Sequence, residues 1–236
     1  MEERLSKWNT IILLPGAVVA LVAGLMSIYK DTAWYIYVPL FAITAILIIL
    51  SFLVRKEIHE FETLSQSMTI DFTDEEGKIA LFTNNKTLKA KKNGAHNFDY
   101  ILYSDGKIEE IMTKQGAIAD IKSEGGRFIV KTNTESPIKK GKIVEHTLTA
   151  KYVDGFNSEK EYWQTTKNAP GSNIKISIIT PQTKPIKEFK AFKIIGHTKI
   201  LLEQQPKRIM IGNKHGIELD FQQAKFLEKY RLEWTW

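Results

Sequence analysis

The sequence predicts a membrane α-helical hairpin plus an all-β domain: two N-terminal transmembrane helices followed by an antiparallel β-sandwich or barrel. Three observations carry this prediction. Two long runs, residues 10–29 and 33–54, contain no charged side chain. From Met68 onward apolar and polar residues alternate with period two. Short Asp-Gly and Gly-Gly motifs separate the alternating stretches, as hairpin turns do.

The first run, "TIILLPGAVVALVAGLMSIY", has 20 residues. At a helical rise of ~1.5 Å per residue it spans roughly 30 Å, the thickness of a hydrocarbon core. The second, "AWYIYVPLFAITAILIILSFLV", has 22 residues. A cleaved signal peptide fits poorly, because the first run is long, a second follows at once and no A-x-A site precedes Lys30. Trp8, Tyr29, Trp34, Tyr35 and Tyr37 stand at the expected headgroup levels. Pro15 falls in the first turns, where a missing N–H costs least, and Pro39 is placed to bend the second span. Gly16, Ala20 and Gly24 recur every fourth residue and make a smooth face for helix packing, either on Ala42 and Ala45 of the same chain or between chains. Between the runs, "SIYKDTAW" carries only Lys30 and Asp31. Arg4, Lys7, Arg55 and Lys56 flank the other ends, so the positive-inside rule places both termini in the cytoplasm and the protein in the inner membrane as a multi-pass chain.

Residues 1–54 thus read as the transmembrane hairpin, 55–67 as a helical stalk and 68–236 as a cytoplasmic β-rich domain. The stalk rests on Ile58, Phe61 and Leu64, which recur at a spacing of three. The charges of residues 1–54 cancel, so the chain's net charge of +6 lies beyond them. In the β domain, "MTIDF", "KIALF", "DYILY", "KIEEIM", "RFIVK", "EHTLTAKYV", "KEYWQT", "NIKISII" and "EFKAFKII" read as strands. "DEEG", "SDGK" and "EGGR" read as turns. Residues 220–229 are the one helical candidate. In the closing "YRLEWTW", Tyr230, Leu232, Trp234 and Trp236 share one face and belong in a core.

No catalytic signature is present. The five histidines, His59, His96, His146, His197 and His215, lack metal-ligand spacing, and there is no cysteine. There is no nucleophile elbow, phosphate-binding glycine loop or dinucleotide fingerprint. Glu218 and Asp220 lie on one side of a strand, a common arrangement on solvated faces. The reading is a protein that is not an enzyme, with no cofactor and no metal. Lysines cluster at Lys139, Lys140 and Lys142, at Lys184, Lys187, Lys190 and Lys193, and with Arg208 at Lys207. They suit a solvated surface, anionic lipid headgroups, or a phosphorylated ligand whose base stacks on Tyr152, Phe156, Tyr162 or Trp163. Arg127, Lys140, Tyr152, Trp163 and Arg208 are the candidate ligand-binding residues.

Two uncharged runs with a minimal loop, the strand-turn-strand "KYVDGFNSEKEYW" and the close on "YRLEWTW" together resemble the two-transmembrane β-strand-rich effectors of bacterial anti-phage nucleotide-signalling systems, the CBASS type and its relatives. The resemblance implies a β domain that senses a signal, such as a cyclic oligonucleotide made by a partner synthase. It further implies transmembrane segments that assemble as a homo-oligomer and disrupt the membrane. The partners expected are therefore the lipid bilayer, that small ligand and further copies of the chain, with no nucleic acid polymer. The alternative is a passive membrane-anchored β domain, pleckstrin-homology-like, that binds lipid or scaffolds partners.

Overall fold

Alternating apolar residues from Phe61 onward fold as strands. The computed structural model describes residues 43–44, 60–166, 173–221 and 228–236. The chain divides into two units, Met1–His59 and Glu60–Trp236, and the strands among the described residues lie in the second. In chain order they are β1 (Phe61–Phe72), β2 (Ile79–Ala90), β3 (Ala95–Tyr103), β4 (Lys107–Lys114), β5 (Gly116–Glu124), β6 (Arg127–Ile138) and β7 (Ile143–Val153). There follow β8 (Lys160–Thr166), β9 (Asn173–Thr180), β10 (Phe189–Ile195), β11 (Thr198–Leu201), β12 (Lys207–Ile211), β13 (Lys214–Phe221) and β14 (Lys229–Thr235).

They form three open sheets, ordered β12-β13-β9-β1-β2-β7-β4, β11-β10-β14-β8 and β3-β6-β5. The large sheet packs one face on the two smaller ones. Phe82 of β2 lies 5.1 Å from Trp163 of β8, ring centre to ring centre, and Tyr100 of β3 lies 5.6 Å from His146 of β7. Period-two burial follows the sequence closely: Met68, Ile70 and Phe72 on β1, and Leu148, Ala150 and Tyr152 on β7, point into one core. β9 sits between β1 and β13, so even Ser177 and Ile179 of its "KISIIT" are covered. At the β1–β2 turn Gly77 adopts φ +72°, and the Asp74 carboxylate accepts from the backbone N–H of Lys78 and Ile79 at 3.0 and 2.7 Å.

The fold class read from the sequence needs correction. The all-β body is present, but the helical hairpin coupled to it is not seen. Apart from helical residues 43 and 44, every regular element described is a strand, and among the described residues no helix is long and apolar enough to cross a membrane. The runs at 10–29 and 33–54, with Gly16, Ala20 and Gly24, otherwise lie outside the described residues.

The helical stalk gives way to strand. Residues 61–67 belong to β1, while 55–59 lie outside the described residues. The spacing of three between Phe61 and Leu64 has a different origin. The β1–β2 register shifts between Thr63 and Ser65, so Leu64 is the extra residue of a bulge that breaks the two-residue period. The sheets are also not purely antiparallel, since β1 and β9 pair in parallel, Ser65 beside Asn173 through Asp71 beside Ile179. This pairing is possible because β8 lies in another sheet and the chain returns to the large one only at β9. The helical candidate at 220–229 is replaced at its ends by β13 and β14, with 222–227 outside the described residues.

Candidate functional site

The end of β7, the 154–159 loop, β8 and β14 together gather aromatic rings. Trp163, Tyr152, Phe156, Trp234 and Trp236 form a chain of neighbours with successive ring centres 6.0, 5.9, 6.0 and 6.0 Å apart. Phe72 closes the group, 5.2 Å from Phe156 and 4.9 Å from Trp236. Tyr152 and Trp234 are 1% exposed, Trp236 8% and Trp163 9%. The Tyr152 hydroxyl and the indole Nε1 of Trp163, Trp234 and Trp236 are buried without a hydrogen-bond partner. All four are donors. Leaving a buried donor unsatisfied costs about 1–3 kcal/mol, and native interiors rarely leave several together.

Glu161 stands opposite Trp234 in the β8–β14 register. Burial pushes its carboxyl above the ordinary range, against the Ser158 N–H and Lys184. Arg127 lies at the start of β6 with Nε and Nη1 likewise buried and unpartnered. Ser104 donates its N–H to Gly126 O at 3.0 Å, and its Oγ would lie 2.9 Å from a Cβ on Gly155. Those contacts bring the β5–β6 turn and the 154–159 loop to one end of the unit.

Of the five candidate ligand residues, the structure brings Tyr152 and Trp163 together in this cluster and places Arg127 at the same end. It separates the other two. Lys140 is exposed in the β6–β7 turn, with its backbone N–H donating to Asn93 Oδ1 at 2.9 Å. Arg208 on β12 donates from Nη1 and Nη2 to the carbonyls of Ile186 and Lys187, both at 2.9 Å, and stacks 5.2 Å above the Phe189 ring. It therefore ties an edge strand to the neighbouring layer. Tyr152, Phe156 and Trp163 are core residues rather than a surface stack for a base, and Arg231 stacks 4.2 Å from the centre of the Tyr162 ring, which stays half exposed. Burial works to raise the Glu218 carboxyl, but Lys175 and Lys207 outweigh it and hold it low. Among the described residues, no group of three or more His, Cys, Asp or Glu side chains could hold a metal ion.

A second buried polar group lies between β2, β3 and β7. Tyr100 Oη and His146 Nδ1 share a hydrogen bond of 2.8 Å, and His146 Nε2 is unpartnered. Lys86 Nζ sits 3.9 Å above the Tyr100 ring and donates to Asp99 O at 3.3 Å. Burial lowers the Lys86 amine to about 8 against the pull of Asp99. Burial and then Lys86 lower His146 to about 4. The folded chain thus prefers a neutral imidazole, while the unfolded chain binds its proton first as pH falls. His146 leaves stability untouched above its unfolded value of 6.5 and costs progressively more as pH falls to about 4. A shift of this size is worth about 3 kcal/mol. Urea unfolding across that window is expected to show the decline, and His146→Phe to flatten it, since Tyr100 keeps the His146 carbonyl as an acceptor at 3.3 Å.

No protein-family model matches the chain, and no curated protein does. Among solved structures, an M1 zinc metallopeptidase from Deinococcus radiodurans is similar at a TM-score of 0.41 and 6% identity, over 74% of this chain and 42% of that one. A two-domain M1 zinc metallopeptidase bound to L-tryptophan gives 0.42 and 7%, over 73% and 42%. The chain spans less than half the length of either. Likeness this slight carries neither an activity nor a fold assignment across.

Proposed function

We propose that the β unit is a non-enzymatic sensor for an acceptor-rich small molecule, a cyclic oligonucleotide being one such compound, within a membrane-associated anti-phage effector. The observation that carries the reading is the set of four buried, unpartnered donors on Tyr152, Trp163, Trp234 and Trp236. A guest bearing phosphate or carbonyl oxygens, once inside the opened cluster, would satisfy them. The donors are closed to solvent, so entry requires the 154–159 loop, which lays Phe156 on Phe72 and Trp234, to open. A ligand that binds the opened form better shifts the unit toward it, and that shift is the signal. The uncharged runs at residues 10–29 and 33–54, with their basic flanks, favour the inner membrane as the location, the sensor facing the cytoplasm and the copies assembling when it is occupied.

Titration calorimetry on the full chain with a panel of cyclic and linear nucleotides tests this. One class is expected to bind, and Tyr152→Phe to weaken it roughly tenfold with an unchanged circular dichroism spectrum, the loss of one hydrogen bond to a charged group. A passive lipid-binding scaffold predicts no binding by any member of the panel.

A further inference from the structure

We propose that the end of the β unit built by the β2–β3 and β6–β7 turns docks on an anionic bilayer. Residues 89–94 and 139–143 carry six lysines and no carboxylate. The sequence keeps these segments some fifty positions apart, and the fold joins them. Ala90 N–H donates to Lys142 O at 3.0 Å, Gly141 N–H to Ala90 O at 2.8 Å, and Lys140 N–H to Asn93 Oδ1 at 2.9 Å. Lys89 stands directly opposite Ile143 in the β2–β7 register.

Lys89, Lys139, Lys140 and Lys142 are all exposed. Lys92 pairs with Glu60 at 2.9 Å. Burial works to raise that carboxyl, but the N–H groups of Asn97 and His96, with Lys92, hold it at about 2, so Glu60 is committed to bracing the turn. Glu62 stands opposite Lys89 in the β1–β2 register, so six lysines meet two neighbouring carboxylates, Glu60 and Glu62, and an excess of positive charge remains.

Its apolar content selects among anionic partners. Ile143, 53% exposed, rises among the lysines, as a residue that enters the headgroup layer would. No aromatic ring occurs in either segment to stack a nucleic acid base. The chain also enters the unit here, at Glu60, a few residues after the uncharged run of 33–54 and its Arg55 and Lys56. Lysines near an anionic leaflet gain attraction one by one, and a rigid platform presents several at once.

The test is acetylation footprinting of the full-length chain with vesicles of phosphatidylcholine alone or with about one-third phosphatidylglycerol. Lys89, Lys139, Lys140 and Lys142 are expected to react about fivefold more slowly with the anionic vesicles, an effect lost at high salt. Lys160 and Lys207, bonded elsewhere, should be unchanged. Lys139→Gln with Lys140→Gln should abolish the slowing at Lys89, and Tyr152→Phe should leave it intact, which separates this surface from the ligand site. Equal rates in both vesicles, uniform slowing of every lysine, or slowing by a single-stranded oligonucleotide in place of vesicles would each overturn the proposal.

Discussion

A chain beginning at Met68 is expected to lose the β fold, whereas one beginning at Glu60 keeps it. The first half of β1 carries much of its pairing: Phe61 through Ser67 pair with Ala90 through Asn85 of β2, and Ser65 onward lies beside β9. Phe61 is buried and meets Phe98 edge-on, with ring centres 5.5 Å apart. Removing a buried Phe alone costs about 3–5 kcal/mol, and a domain of this size holds only about 5–15 kcal/mol in total. Glu60 adds its own share, since its carboxylate accepts the N–H groups of His96 and Asn97 at 2.6 and 2.9 Å. Circular dichroism and a cooperative urea transition on the two fragments check this. A Met68 fragment as stable as the Glu60 fragment would mean that residues 61–67 do not belong to the sheet.

Trp234→Ala is expected to destabilise the unit by about 3–5 kcal/mol, the cost of truncating a large ring in a packed core. Trp234 is the largest of the fully buried side chains. It lies near the end of β14, opposite Phe189 on β10 and Glu161 on β8. Its ring meets Phe156 and Trp236 at 6.0 Å each, so the cavity left behind would border the proposed ligand site. Trp234→Phe keeps most of the volume and removes the donor. It is expected to cost less stability than the alanine change while still weakening ligand binding. Urea unfolding measures the first effect and calorimetry the second. An equal loss of stability in the two variants would count against the packing account.

Much of the β architecture is legible in the sequence because period two is a direct imprint of sheet burial. The buried positions of β1 and β7 follow the alternation of "MTIDF" and "EHTLTAKYV", and those of β14 follow "YRLEWTW" except at Glu233, which is buried among Lys160, Lys199 and Arg231. The bulge at Leu64 was not legible, since one inserted residue makes strand spacing mimic a helical one. Parallel pairing of β1 with β9 was hidden for another reason: it depends on which sheet the intervening strands join, a long-range matter.

The site was legible in part. Tyr152, Trp163 and Arg127 are aromatic or basic residues near turn motifs, and composition was enough to single them out. It also singled out Lys140 and Arg208, because nothing in a sequence distinguishes a guanidinium satisfied by the carbonyls of Ile186 and Lys187 from an unsatisfied one. Trp234 and Trp236 were recognisable as core. That their indole N–H groups lack acceptors depends on what faces them across the core. The same holds for the Tyr100–His146–Lys86 group, whose members are scattered over three strands.

The most direct test of the proposed sensor reads the indole N–H groups themselves. The chain has five tryptophans, Trp8, Trp34, Trp163, Trp234 and Trp236. Nitrogen-15 labelling of these rings in the full-length protein gives one side-chain N–H signal for each, followed during titration with the nucleotide panel. The ligand that binds is expected to move the signals of Trp163, Trp234 and Trp236 as they gain acceptors, and to do so more weakly in Tyr152→Phe. Binding that leaves those three signals unmoved, or a panel in which no compound moves them, would contradict the proposed sensor.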